Sequence, residues 1–306
     1  MSAYPSGVTI VEVGPRDGLQ NERAPIATGL KIEFINRLSR TGLSVIETTS
    51  FVSPRHIPQL ADAADVFAGI DKRRGVSYPV LVPNLKGLEK ALSVGVTDIA
   101  VFAAASDEFS QRNINASIEE SLERFAPVAE RANAEGLRIR GYISCVLGCP
   151  YQQAVPVQRV VDVSHLLTEL GCYEVSLGDT IGVGTPLQAK KLVGAVADRI
   201  GIERIAIHFH DTRGQALANI LSCLEAGVSV IDASVAGLGG CPYARGATGN
   251  VATEDLVYML HGMDIDTGID LPGLVEAGRF ISHALGRPPA SRLGLIAEKT
   301  LEKDDN

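Results

Sequence analysis

The sequence predicts an α/β protein, a (β/α)8 TIM barrel with extra C-terminal helices packed beside it. Three observations carry that expectation. About eight short runs rich in β-branched residues recur along the 306 residues, each followed by a helical pattern. Some are continuously apolar, such as Ile205-Ala206-Ile207, as strands covered on both faces are. Polar residues gather where many different runs end, and a barrel keeps its active site at the C-terminal ends of its strands. An open doubly wound sheet fits less well. The first run leads into Gly14-Pro15-Arg16-Asp17-Gly18, not into the Gly-x-Gly-x-x-Gly of a dinucleotide-binding turn.

In chain order, the first strand is expected at Val8–Val13. The spacing of Ile32, Ile35 and Leu38 then predicts a helix over Leu30–Leu38. Strands follow at Ser44–Thr49, Tyr78–Val82 and Asp98–Phe102. Ser117 and Glu120 form a capping box ahead of an amphipathic helix ending near Ala134. Arg138–Ser144, Tyr173–Leu177, Arg204–His208 and Val230–Val235 complete the set of strands. Gly136, Gly171, Gly201 and Gly227 stand just before strands, where helix C-caps belong. From Gly237 the alternation gives way to a glycine-rich loop and helices at Thr253–Leu260 and Leu271–Leu285, then Arg287-Pro288-Pro289 and a final short helix. Residues 1–306 read as one catalytic barrel domain, with 237–306 supplying the glycine-rich active-site loop and the appended helices.

The chain is 45% hydrophobic and 21% charged, a normal globular balance. Its net charge of −8 argues against nucleic acid and against an anionic membrane surface. It does not exclude an anionic substrate, because a local cluster can oppose the global sign. Five unclustered cysteines imply no disulfide framework and fit a reducing compartment. Cys145 and Cys149 lack the second ligand pair that a zinc site needs. With no apolar run near the roughly 20 residues of a membrane span, no leader and no C-terminal address, the expected location is cytoplasmic.

The strand ends carry the chemistry. His208 and His210, two apart on one strand, face the same way and are placed to share a metal ion. Asp17 after the first strand and the amide oxygen of Asn250 complete a mixed nitrogen and oxygen set. Such a set suits a divalent ion with open positions: Mg²⁺ or Mn²⁺, with Co²⁺ or Zn²⁺ as alternatives. Open positions imply a catalytic ion that takes substrate oxygens. Glu47 and Asp179 are candidates for supporting that ion or for acid/base work. Arg16, beside Asp17, is placed to balance a developing oxyanion. Cys241, in a Gly-Gly-Cys-Pro loop, differs from the other cysteines and suits an acid/base role on loop closure. Plainer readings exist: Asp17, Asp179 and Asp211 as helix N-caps, Glu47 as a salt-bridge partner of Arg16, Asn250 as the cap of the following helix. Their convergence on one face of one barrel weakens those readings.

Four motifs then carry a resemblance. Val11 to Glu22 (with Gly14-Pro15-Arg16-Asp17-Gly18-Leu19-Gln20), Ser44 to Pro54 (with Glu47), Ser176 to Gly184 (with Gly178-Asp179-Thr180) and Gly237 to Tyr243 (with Cys241) resemble 3-hydroxy-3-methylglutaryl-CoA lyases. The likeness runs from about residue 8 to about residue 290. The broader group is the metal-dependent lyase and synthase barrels with Arg-Asp after the first strand and His-x-His after the seventh. The resemblance implies cleavage of HMG-CoA to acetyl-CoA and acetoacetate, as in leucine degradation or ketone-body formation, with no organic cofactor beyond the CoA of the substrate. It implies that a metal lowers the pKa of the tertiary hydroxyl, that Asp179 or a histidine removes its proton, and that Arg16 stabilises the thioester enolate. Cys241 or a water then protonates the enolate carbon, and Glu47 orients Arg16 or a metal-bound water. Gln20, Ser50 and Thr180 are expected near the substrate, Asn113 and Tyr142 near the CoA end. A homodimer or other homo-oligomer is expected by the same likeness.

Two other enzymes share much of this pattern. An acetyl-CoA-dependent 2-oxo acid synthase would use Arg16, Asp17 and the histidines but has no need of Cys241. A lyase for another 3-hydroxyacyl-CoA would differ only in pocket shape. A non-catalytic metal-binding barrel would tolerate Asp17→Asn, and the number of polar groups at the strand ends argues against it.

Overall fold

The computed structural model describes residues 4–22, 24–240 and 249–304. Nine strand segments form one sheet: β1 (Thr9–Glu12), β2 (Val45–Ile46), β3 (Thr49–Ser50), β4 (Val80–Leu81), β5 (Asp98–Ala104), β6 (Arg138–Ser144), β7 (Glu174–Asp179), β8 (Ile205–Phe209) and β9 (Val230–Ala233). Their order in the sheet is β2-β1-β9-β8-β7-β6-β5-β4-β3, and every pairing is parallel. The two ends of that order, β2 and β3, are halves of one expected strand, so the sheet closes on itself. Glu47 and Thr48 interrupt the stave, yet its hydrogen bonds continue on both sides. Glu47 N–H donates to Glu12 O at 2.9 Å, and Thr48 N–H donates to Pro79 O at 3.0 Å. The result is the eight-staved parallel barrel expected from the sequence.

Closure follows from the strand chemistry. Ile205, Ile207 and Phe209 are buried on the outward side of β8 and Ile139 and Ile143 on that of β6, against the helical ring. The alternate positions on the same strands carry Arg140, Tyr142 and His208. Arg140 on β6 reaches Asp232 on β9, which is not its neighbour, so this contact crosses the barrel interior.

Around the barrel run α1 (Thr28–Leu38), α2 (Ala63–Gly69), α3 (Leu85–Ser93), α4 (Asp107–Ile114), α5 (Ile118–Ala134), α6 (Val157–Glu169), α7 (Pro186–Ile200) and α8 (Ala216–Leu224). The capping box of α5 is present in both directions. Ser117 Oγ accepts from Glu120 N–H at 3.1 Å, and Glu120 Oε2 accepts from Ser117 N–H at 2.9 Å. Gly136, Gly171, Gly201 and Gly227 all take positive φ, as expected of helix stops.

After β9 come α9 (Thr253–Gly262), α10 (Leu271–Ala284) and α11 (Arg292–Asp304). α10 packs on α1 and beside α9 and α11. The last helix is not the short one expected but spans 13 residues. Asp255 of α9 extends it by accepting from Arg292 and Leu293 N–H at 3.0 Å each, satisfying its first turn. No helix among the described residues is long and apolar enough to cross a membrane.

Candidate active site

The chain leaves β1 through a five-residue π-helical turn, Gly14–Gly18, in which Gly18 N–H donates to Val13 O at 3.2 Å. The wide turn rests on the segment after β9. A Cβ on Gly18 would lie 2.7 Å from Leu238 Cβ, so only glycine allows the approach. Arg16 and Asp17 are thereby aimed over the barrel mouth.

Arg16 is buried and held at two points. Its Nε donates to Glu47 Oε2 at 2.6 Å and its Nη1 to Asp17 Oδ1 at 2.8 Å. Its guanidinium carbon lies 5.5 Å from the centre of the Tyr142 ring. Burial pushes the Glu47 carboxyl up against the opposing pull of Arg16, and Glu47 Oε1 has no hydrogen-bond partner among the described residues. Burial also pushes Asp17 up, but Arg16, then His208 and His210, outweigh it and hold its carboxyl down at about 2.

His208 and His210 share a face, as the two-residue strand period requires, with ring centres 5.4 Å apart. One ligand atom from each of Asp17, His208 and His210 falls within 4.8 Å of the others. Burial first, then neighbouring His208, lowers His210 to about 4, so its ring is neutral near pH 7. His210 Nδ1 is buried with no partner among the described residues, as an unfilled ligand position would be. Asn250 arrives from the returning glycine-rich loop through an antiparallel bridge to His210, and Asp211 N–H donates to Gly249 O at 2.7 Å. Its Nδ2 donates to Asp17 Oδ2 at 2.8 Å and to Leu238 O at 3.1 Å.

Beneath these groups lies a buried charged chain that sequence reasoning missed. Asp232 Oδ2 is 3.2 Å from His208 Nδ1, Asp232 Oδ1 accepts from Arg140 Nη2 at 2.7 Å, and Arg140 Nε donates to Glu174 Oε1 at 2.6 Å. A lone acid in the apolar run Val230-Ile231-Asp232-Ala233 was the available signal. The cluster joins four carboxylates (Asp17, Glu47, Glu174, Asp232) to two guanidiniums (Arg16, Arg140). That formal surplus of two negative charges matches one divalent cation. Ligand chemistry, the orphaned His210 nitrogen and this charge balance all fit a metal ion.

A cavity of about 1390 Å³ opens above the cluster. Arg16, Asp17, Gln20, Ser50, Asn113, Tyr142, Thr180, His208 and His210 all line it, so the expected substrate-facing residues converge. Gln20 Oε1 and Ser50 Oγ are buried there without partners among the described residues. Its outer wall carries Arg55, Lys86, Arg112 and Arg124, a basic cluster on an acidic chain. Asp179 is placed differently: it does not line the cavity, and its two oxygens accept from Val183 N–H at 3.1 Å and Gly184 N–H at 2.8 Å. Cys241 lies outside the described residues; Gly240, just before it, lines the cavity.

The chain is 59% identical to a 3-hydroxy-3-isohexenylglutaryl-CoA/hydroxy-methylglutaryl-CoA lyase of Pseudomonas aeruginosa, over 94% of this chain and 96% of that one. It superposes on a hydroxymethylglutaryl-CoA lyase structure from Pseudomonas aeruginosa with a TM-score of 0.95 at 57% identity, covering 97% of this chain and 100% of that one. A third protein, an HMG-CoA lyase from A. baumannii solved with coenzyme A and 3-methylmalate, matches with a TM-score of 0.91 at 37% identity, over 96% of each chain. The family description HMGL-like spans residues 7–281, which takes in every strand of the barrel and the whole charged cluster at its mouth, and the chain belongs to that family.

Proposed function

We propose that the protein is a hydroxymethylglutaryl-CoA lyase, a carbon–carbon lyase that cleaves 3-hydroxy-3-methylglutaryl-CoA to acetyl-CoA and acetoacetate. The observation that carries this reading is the Asp17–His208–His210 triangle beside Arg16 at the base of one large cavity. Asp17, His208 and His210, with Asn250 beside them, would hold a divalent ion, Mg²⁺ or Mn²⁺, which when bound supplies Lewis acidity to the substrate's oxygens.

The reaction asks four things of the chain. A proton leaves the tertiary hydroxyl; a histidine whose lone pair holds the ion cannot also take it, which leaves Asp179, each of whose oxygens accepts a single backbone hydrogen bond, as the candidate base. As the C2–C3 bond breaks, its electron pair passes to the thioester as an enolate, and the former carbinol carbon becomes the ketone of acetoacetate. Arg16 stays cationic between two carboxylates and is placed to stabilise the enolate oxygen. The enolate carbon then takes a proton, for which Cys241 is the candidate. Glu47 orients Arg16. The basic outer wall, with Asn113, suits the phosphates of a CoA ester.

The test is acetoacetate release by purified protein stripped with EDTA and then given Mg²⁺ or Mn²⁺. Metal-restored release is expected; no release with any divalent ion would overturn the reading. The relative that also acts on an isohexenyl homologue favours a second reading, a broader lyase. Comparing kcat/KM for the methyl and isohexenyl substrates in the same assay separates the two.

A further inference from the structure

The roles above use His208 but leave Asp232, Arg140, Glu174 and Ser176 without a task. Asp232 is buried inside the barrel, and so is Arg140. Asp232 Oδ1 accepts from Arg140 Nη2 at 2.7 Å; Oδ2 accepts from Arg140 Nη1 at 3.2 Å and from Ser176 Oγ at 2.8 Å, and lies 3.2 Å from His208 Nδ1. Arg140 is held from its far side by Glu174 at 2.6 Å. Packing alone does not demand such a chain, since apolar groups of similar volume often serve as well or better than a buried ion pair. The charged chain does something apolar groups cannot. An ionised carboxylate only accepts hydrogen bonds. Facing Asp232, His208 Nδ1 must therefore be the donor, and in the neutral ring the lone pair is left on Nε2.

We infer that Asp232 is a positioning residue that fixes His208 as its Nδ1–H tautomer and so presents Nε2 to the metal, while Arg140, Glu174 and Ser176 hold Asp232 ionised and correctly turned. A carboxylate that orients a ligating histidine from behind is a general device of metal sites. The inference rests on the metal-dependent reading given above, but its test needs no substrate.

The experiment uses the full chain, metal-free, in wild-type and Asp232→Asn forms. Mn²⁺ affinity is read by electron paramagnetic resonance, and the His208 tautomer by ¹⁵N NMR at pH 8. The variant amide turns its oxygen to Arg140 and donates its N–H to His208 Nδ1, which moves the ring proton to Nε2. The expected results are an Nδ1–H ring in the wild type, an Nε2–H ring in the variant, and Mn²⁺ binding weakened about 10- to 100-fold. Unchanged Mn²⁺ affinity in a folded variant would overturn the inference. If the variant does not fold, the wild-type spectrum decides: an Nε2–H ring at His208 overturns it and an Nδ1–H ring supports it. A protein that shows these changes yet releases no acetoacetate would keep the inference and lose the lyase reading. Acetoacetate release with neither change would do the reverse.

Discussion

Arg16 holds two carboxylates at once, Glu47 at 2.6 Å and Asp17 at 2.8 Å, and both contacts are largely shielded from water. Removing it should therefore have two separable effects. Arg16→Gln loses the cation proposed to face the enolate, and on that proposal kcat should fall about 10²- to 10³-fold, as when an oxyanion donor is removed. It also leaves Glu47 buried and unpaired, at a cost of about 3–5 kcal/mol. Adding Glu47→Gln should recover most of the melting temperature and none of the turnover. Recovery of turnover in the double variant would mean that Arg16 only neutralises Glu47. Residues of this kind were legible because their neighbours in sequence are their neighbours in space. Arg16-Asp17 and His208-x-His210 each carry their pattern within three positions. Asp232 and Arg140 were not legible, because they meet across the barrel although they are 92 positions apart in sequence. Asp179 shows the opposite difficulty: an acid at a strand end looks alike in sequence whether or not it also accepts from its own loop, as Asp179 does from Val183 and Gly184 N–H.

At the scale of elements, strand positions were readable from β-branched runs, but the break between β2 and β3 was not. Ser44 to Thr49 reads as one strand; the interruption at Glu47 and Thr48 depends on Glu47 meeting Arg16, a contact from another stave. The β7–α7 loop shows how elements set the site. Gly182 has φ +55°, and a Cβ there would lie 2.7 Å from His210 O and 2.8 Å from Thr212 Cβ. Arg213 Nη1 ties the same loop from β8's side, donating to Ile181 O at 2.8 Å and Gly182 O at 3.0 Å. Gly182→Ala should thus strain the loop by about 1–2 kcal/mol and push it against the backbone of His210. Misplacement of about 1 Å can cost roughly 10²-fold in rate, so kcat should drop at least tenfold with weaker Mn²⁺ binding. Normal values of both would show that this loop does not position His210.

For the whole molecule, the seam between the first and last staves is closed by two buried glutamates. Glu12 on β1 accepts from Gly14 N–H at 2.8 Å, Val235 N–H at 2.9 Å and Thr253 Oγ at 2.6 Å, joining β1, the turn after β9, and α9. Glu254 on α9 accepts from Ala236 N–H at 2.9 Å and Ser291 Oγ at 3.2 Å, joining that turn to the start of α11. Burial, against the pull of its hydrogen bonds, raises Glu12 to about 7; burial, aided by the neighbouring charge of Glu12, raises Glu254 to about 8. In the unfolded chain both titrate near 4.5. Between those values the folded protein binds the protons more tightly, so their contribution to stability is complete below about 4.5 and is lost as pH rises through about 7 and about 8. Melting temperature should therefore climb on going from pH 8.5 to pH 6. Glu254→Gln, which carries no titrating proton, should climb less over the same range, by about 5 °C, from roughly two pH units at about 1.4 kcal/mol each and ~2 °C per kcal/mol for a large domain. Differential scanning fluorimetry of the two proteins gives the comparison directly. Parallel profiles would mean that Glu254 is ionised in the folded state across this range, and that the seam is held by charge and not by a shared proton.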